Sequence, residues 1–185
     1  MITFPIAPRG TKVTPRLVRT GGDLVSALGG PTQRITRIGS RYAAQVELPT
    51  LDADCAAKWL ACPLLAEAAG DTLAFIMPQM LDPSGINIAG TGSAGSNQVT
   101  YAGGGHPAPG MWFSVQVGGR HYLHLVTAQT GANKVSVSPL LRVDLTGQAM
   151  DLNAPKLEGF CDTDTSWSVE FFRFVGHSFT ITENA

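Results

Sequence analysis

From Gly110 onward the chain breaks into short apolar runs parted by turn residues: Met111 to Val117, Arg120 to Ala128, Lys134 to Ser138 and Ala149 to Asn153. The first two are joined by Gly118-Gly119, a dipeptide suited to a tight hairpin. Runs returning at intervals of about 8 to 12 residues are the pattern of a small barrel or a sandwich. Only 15% of residues are charged, against 21 glycines and 12 prolines, which favours short strands and turns over long surface helices. A mainly β fold follows, and 185 residues suffice for one domain or for one domain carrying a smaller insert.

The amino-terminal half adds one sharp strand and one helix. Tyr42, Ala44, Val46 and Leu48 alternate with Ala43, Gln45 and Glu47, so one face of that strand meets a core until Pro49 stops it. Thr50 or Asp52 then caps a helix over about 52–69, with Ala53, Ala56, Ala57 and Leu60 at helical spacing and Pro63 expected to break or kink it. Trp59 lies off that stripe and reads either as a core residue or as a subunit contact. Further strands are expected at Val13 to Val18, Leu24 to Leu28, Thr72 to Met77, Ile86 to Ile88, Val99 to Tyr101, Ser166 to Val175 and Ser178 to Thr182. The last two carry Trp167, Phe171, Phe172, Phe174 and Phe179, a density that should close a core.

Charge is unevenly placed. Residues 1–41 hold Arg9, Lys12, Arg16, Arg19, Arg34, Arg37 and Arg41 against Asp23 alone, a surplus of +6 that leaves −7 for the rest of a chain of net charge −1. Three readings fit: a nucleic-acid contact, a second copy whose acidic face meets this basic one, or a solvated surface. The aromatics lie in the other half of the chain, so the interleaving needed for base stacking beside phosphate contacts is missing and no direct nucleic-acid contact is expected.

No catalytic, cofactor or metal constellation is expected. Gly90, Gly92 and Gly95 match G-x-G-x-x-G, but the following Ser96 to Ala102 has no helical period, so no helix amino end is available to hold a phosphate. His121 and His124 fall on opposite faces of a strand and read as partly exposed, while His106 and His177 have turn-like neighbours. Asp162 to Ser166 starts like a calcium loop but has Trp167 and Arg173 where glycine and glutamate belong, so it reads as an acidic turn. Cys55, Cys62 and Cys161 read as buried free thiols made in a reducing compartment. Neither a secretory leader nor an apolar membrane span is expected.

The segments "GMWFSVQVGGRHYLHLVTAQ", "KVSVSPLLRVDLTGQAMDLNAPKLEGF" and "WSVEFFRFVGHSFTITE" resemble tail proteins of tailed bacteriophages and prophages. The shared features are a G-x-x-F strand, the Tyr122-Leu123-His124 run, the S-P-L-L-R turn at Ser138 to Arg142, and an aromatic closing strand ending in Glu183. "QRITRIGSRYAAQVELPTLDADCAAKWLA" resembles the strand, L-P, helix order of the same group, and "INIAGTGSAG" its glycine-rich passage into an insert, so the likeness spans roughly residues 30–185. Within the group the chain is most similar to the distal tail protein of long-tailed phages. That resemblance implies a β-sandwich with one short helix over 1–80 and 161–185, interrupted at 81–160 by a small OB-like β-barrel, with the glycine-rich stretch as the crossing. It also implies a non-enzymatic virion protein, assembled in the host cytoplasm into a hexameric ring at the tail tip between the tail tube and the hub and fibres. Arg9, Arg16, Arg19, Arg34, Arg37, Arg41 and Trp59 would then serve subunit contacts. The alternative is a carbohydrate-binding module of the adsorption apparatus, with Trp112 and Tyr122 as an exposed platform for a host surface glycan.

Overall fold

The computed structural model describes residues 1–26, 29–35, 37–162, 166–170 and 173–184, with side chains for all of these except 166–170 and 173–176. Among the described residues fifteen strands and one helix occur, beginning with β1 (Ile2–Thr3), β2 (Lys12–Val18), β3 (Gly22–Leu24), β4 (Gln33–Ile35), β5 (Arg41–Leu48), α1 (Ala53–Ala69), β6 (Leu73–Ile76), β7 (Asn87–Gly92) and β8 (Gln98–Gly104). The chain continues with β9 (Trp112–Val117), β10 (Arg120–Gly131), β11 (Lys134–Ser138), β12 (Leu145–Asp151), β13 (Lys156–Cys161), β14 (Ser166–Glu170) and β15 (Arg173–Glu183). The fold is mainly β, with one helix and an inserted barrel. Strands β10-β11-β8-β7-β12-β9 close into that barrel, and the outer unit is a seven-stranded sheet ordered β1-β6-β13-β15-β5-β2, with β14 paired to β15. Strands β3 and β4 form a separate two-stranded sheet.

The barrel strands run from Asn87 to Asp151, and β13 pairs with β6 and β15 in the outer sheet. A boundary at 160 is therefore corrected: the insert ends before Lys156. Strand β13 reads like a barrel strand because what distinguishes it is its pairing partner, not its apolar pattern. The glycine-rich stretch is also corrected, since it is not a crossing but the β7–β8 hairpin within the barrel. A methyl group on Gly92 would lie 2.7 Å from Leu141 Cδ1 and 3.0 Å from the Gln98 carbonyl oxygen, so glycine is needed for close packing there rather than for a ligand.

Two cores form. The outer one gathers Phe4, Trp59, Phe75 and Phe179, with Phe4 stacked on Trp59 at 5.2 Å and on Phe179 at 4.9 Å between ring centroids. The barrel core is built from Val99, Phe113, Val115, Val126, Val135 and Leu141, among others. Strands β9 and β10 serve both: Trp112 and Leu123 belong to the outer core, Phe113 and Val126 to the barrel. This is the period-2 alternation of a wall shared by two units.

Helix α1 begins as its sequence suggests, with the Asp52 carboxylate accepting from the Cys55 N–H at 2.7 Å. It continues through Pro63 to Ala69. Its buried stripe is Ala56, Trp59, Pro63 and Ala66, whereas Ala53 and Ala57 are exposed. The expected apolar stripe is thus rotated toward Trp59, because the indole seats against Phe4. Trp59 is fully buried within the chain, which removes it from the expected subunit-contact residues. No helix among the described residues is long and apolar enough to cross a membrane.

Candidate functional site

The densest polar cluster lies where barrel and outer sheet meet, and its cause is strand length. Strand β10 pairs with β9 over Arg120–Leu125 but reaches β11 only from Leu125 onward. Its first half therefore has one flank without a strand partner, and buried N–H groups there need acceptors. Two carboxylates supply them. Glu158 on β13 accepts from the His121 N–H at 2.8 Å and from the Thr72 hydroxyl at 2.7 Å. Glu183 on β15 accepts from the Leu123 N–H at 2.8 Å and the Tyr42 N–H at 3.1 Å, and pairs with Arg142. Burial pushes the Glu183 carboxyl up from its ordinary value, while the Arg142 guanidinium and the two amides pull it back.

The aromatic and amide surroundings complete this junction. The Arg142 guanidinium sits 5.0 Å from the centre of the Tyr122 ring, and the Tyr42 hydroxyl donates to the Ser138 carbonyl at 3.2 Å. At the crossing between the units, the Gln79 amide accepts from the Trp112 N–H at 3.0 Å and donates to the Trp112 and Leu152 carbonyls. Every carboxylate oxygen of Glu158 and Glu183 is thus engaged by groups of the fold. The cluster acts as a rivet between units, its two carboxylates buried at 4% and 1% exposure.

Three of the four histidines are placed differently from expectation. His121 and His124 are both buried, since the wall they stand on is covered on each side, and His177 lies inside β15 opposite Leu48 rather than in a turn. His106 accepts from or donates to the Tyr101 hydroxyl at 2.8 Å. His124 stacks on Phe113 at 5.5 Å with its Nδ1 3.2 Å from the Pro139 carbonyl oxygen. Burial pushes its imidazole down to about 3, with the Arg142 cation adding to the effect and the Pro139 carbonyl opposing it. An unfolded His124 would take up a proton below about 6.5, whereas the folded one stays neutral until about 3. Stability is therefore full above that window and falls as pH drops through it, by about 1.4 kcal/mol per pH unit at the steepest. Between about pH 7 and about pH 5, denaturant unfolding should show the native chain losing about 2 kcal/mol more than His124→Leu. Equal losses would contradict the burial of a neutral imidazole.

The thiols are free and only partly buried, a correction to full burial, and burial pushes Cys161 up to about 12. Among the described residues no group of three His, Cys, Asp or Glu could hold a metal ion. The calcium-loop-like segment Asp162 to Ser166 has its middle, 163–165, outside the described residues.

The expected glycan platform is corrected as well. Trp112 is 7% exposed and meets Tyr42 edge-on at 4.9 Å, in the shared core. Tyr122 is half-buried against Arg142. Trp112 therefore has no exposed face for a sugar, and Tyr122 is not joined by it in an exposed pair.

The basic residues, in contrast, do reach the surface. Arg9, Arg16, Arg19, Arg34 and Arg37 are exposed, and Arg41 is partly buried. Strand β2 ends the sheet order and holds Lys12 and Arg16 on its exposed positions, with Lys12 paired to Glu47 at 3.3 Å. Pro15, which has no N–H to offer a foreign strand, blunts this edge, a common protection for a strand that has no further partner in its own chain. Beyond it the β3–β4 hairpin pairs with no other strand among the described residues, and Arg34 is held to Asp23 at 3.0 Å across it. A cleft of about 340 Å³ separates this hairpin from Ser138, Pro139 and Leu140 of the barrel. Known protein families and curated proteins were compared with this sequence, and no family model and no curated protein matches it.

Proposed function

We propose that this chain is a structural protein of a bacteriophage tail tip, which assembles into a ring, hexameric as in the family it resembles, and joins the tail tube to the hub and fibres. The observation that carries this reading is the unfinished basic end of the outer sheet. A two-stranded hairpin is at best marginally stable alone in water, yet β3–β4 stands apart from both sheets and exposes Leu24 and Val25. Such a surface gains stability when another protein covers it. The exposed arginines around it set its preference for an acidic neighbour. The junction supports the same reading: its carboxylates fix one unit rigidly on the other, as a part that transmits position requires.

The assembly is tested by sedimentation of the purified chain over a range of concentrations and ionic strengths. One closed species of fixed copy number is expected, dissociating as salt rises because charge steers the contact. A chain that stays monomeric under all conditions, with and without tail partners, overturns the ring.

A further inference from the structure

Two uncovered surfaces lie toward opposite ends of the outer sheet, and their chemistries match. The first is a groove of about 550 Å³ beside the carboxyl-terminal half of α1, formed with β6 and β13. Leu64 and Phe160 on its walls are 53% and 50% exposed, an unusual cost for a leucine and a phenylalanine that no described segment of this chain covers. Its rim holds Glu67, besides Asp71, which pairs with the amino-terminal ammonium at 3.1 Å. The last turn of α1 has no basic residue, so the negative end of the helix dipole adds to those carboxylates.

The second surface is the β3–β4 hairpin. Leu24 is 56% and Val25 76% exposed. Arg34 is matched by Asp23, which leaves the exposed Arg19 and Arg37 as its positive surplus. The hairpin follows β2 at one end of the sheet, while β6 and β13 stand toward the other. One chain cannot therefore fold its own hairpin into its own groove.

We propose that the hairpin of one copy seats in the α1/β13 groove of the next copy, Leu24 and Val25 entering between Leu64 and Phe160 while Arg19 and Arg37 face Glu67 and the negative end of α1. This rests on the ring reading and names the two surfaces that close the ring. The contact is heterologous, hairpin to groove, so each copy uses both surfaces and the pattern repeats until it meets itself. Charge selects the partner and its orientation, and burial of the four apolar side chains holds it.

The experiment uses two full-length double variants, Leu24→Asp/Val25→Asp with a disabled hairpin and Leu64→Asp/Phe160→Asp with a disabled groove. Native mass spectrometry reads assembly beside the unaltered chain. Each variant alone should associate at least about tenfold more weakly. Mixed together they should form a one-to-one dimer and stop, since one intact hairpin and one intact groove remain. Either variant assembling like the unaltered chain, or a mixture without the dimer, overturns the docking while leaving the ring itself standing. An unaltered chain that never assembles instead removes the ring reading. Should a double variant misfold, the reversals Glu67→Arg and Arg37→Glu decide: each weakens assembly alone, and the two in one chain restore it, whereas no restoration counts against the contact.

Discussion

Replacing Glu183 with alanine should lower the unfolding free energy by about 3–5 kcal/mol, measured by urea denaturation with the unaltered chain as reference. The Arg142 and Glu183 side chains are 6% and 0% exposed, so truncation leaves a guanidinium in a nearly dry site against the Tyr122 ring, without its carboxylate. It also strands the N–H groups of Tyr42 and Leu123, each a buried donor that costs about 1–3 kcal/mol when unmatched. Removing both charges at once, with Glu183→Leu and Arg142→Met, should recover part of the loss, because the uncompensated cation is gone while the two amides remain orphaned. A loss below about 1 kcal/mol for Glu183→Ala would mean that the junction is not the rivet described above. Barrel and outer sheet share Trp112 and Leu123 in one core, so the unaltered chain should unfold in a single transition.

Gly159→Ala should destabilise the fold by about 3 kcal/mol or more, at or beyond the upper end of ordinary overpacking. A methyl group there would lie 1.8 Å from the Thr182 carbonyl oxygen and 2.8 Å from the Glu183 Cα. Both atoms are backbone, so no side-chain rotation relieves the overlap, and β13 and β15 must separate where Gly159 faces Glu183. That separation moves Glu158 and Glu183 away from β10, which couples a single added carbon to the whole junction. Amide hydrogen exchange locates the effect: protection should fall at His121 and Leu123 in the variant. Unchanged protection at both amides, with stability within about 0.5 kcal/mol of the unaltered chain, would contradict it.

Much of the local structure can be read from residues close together in the chain. The alternation of Tyr42, Ala44, Val46 and Leu48 is seen as β5, the Gly118-Gly119 turn joins β9 to β10 with Val117 opposite Arg120, and Asp52 caps α1. What escapes local reading depends on partners far away. Gly176 and His177 look like a turn, yet pairing of His177 with Leu48 and Trp167 carries β15 straight through them. Trp59 looks like an outlier on its helix until Phe4, from the first strand region, stacks on it. Arg142 and Glu183 stand out in sequence as the ends of a turn and of a closing strand, but 41 residues separate them and neither pattern announces an ion pair. A lone acid ending an apolar strand, as in Phe179 to Glu183, is the one signal that could have pointed there, because such a residue is rarely buried without a partner. The surface basic residues were legible by composition alone; which of them stay free, and that β3–β4 presents them beside bare apolar side chains, required the strand order.

The proposed role is that of a part that fits against copies of itself at a tail tip. An electron cryomicroscopy map of the assembled tail tests it most directly. The account predicts a ring of this chain between tube and hub, the basic hairpin of each copy against its neighbour and the barrel held to the outer sheet through Glu158 and Glu183. A tail whose tip lacks this protein, or holds it as isolated single copies, would contradict it.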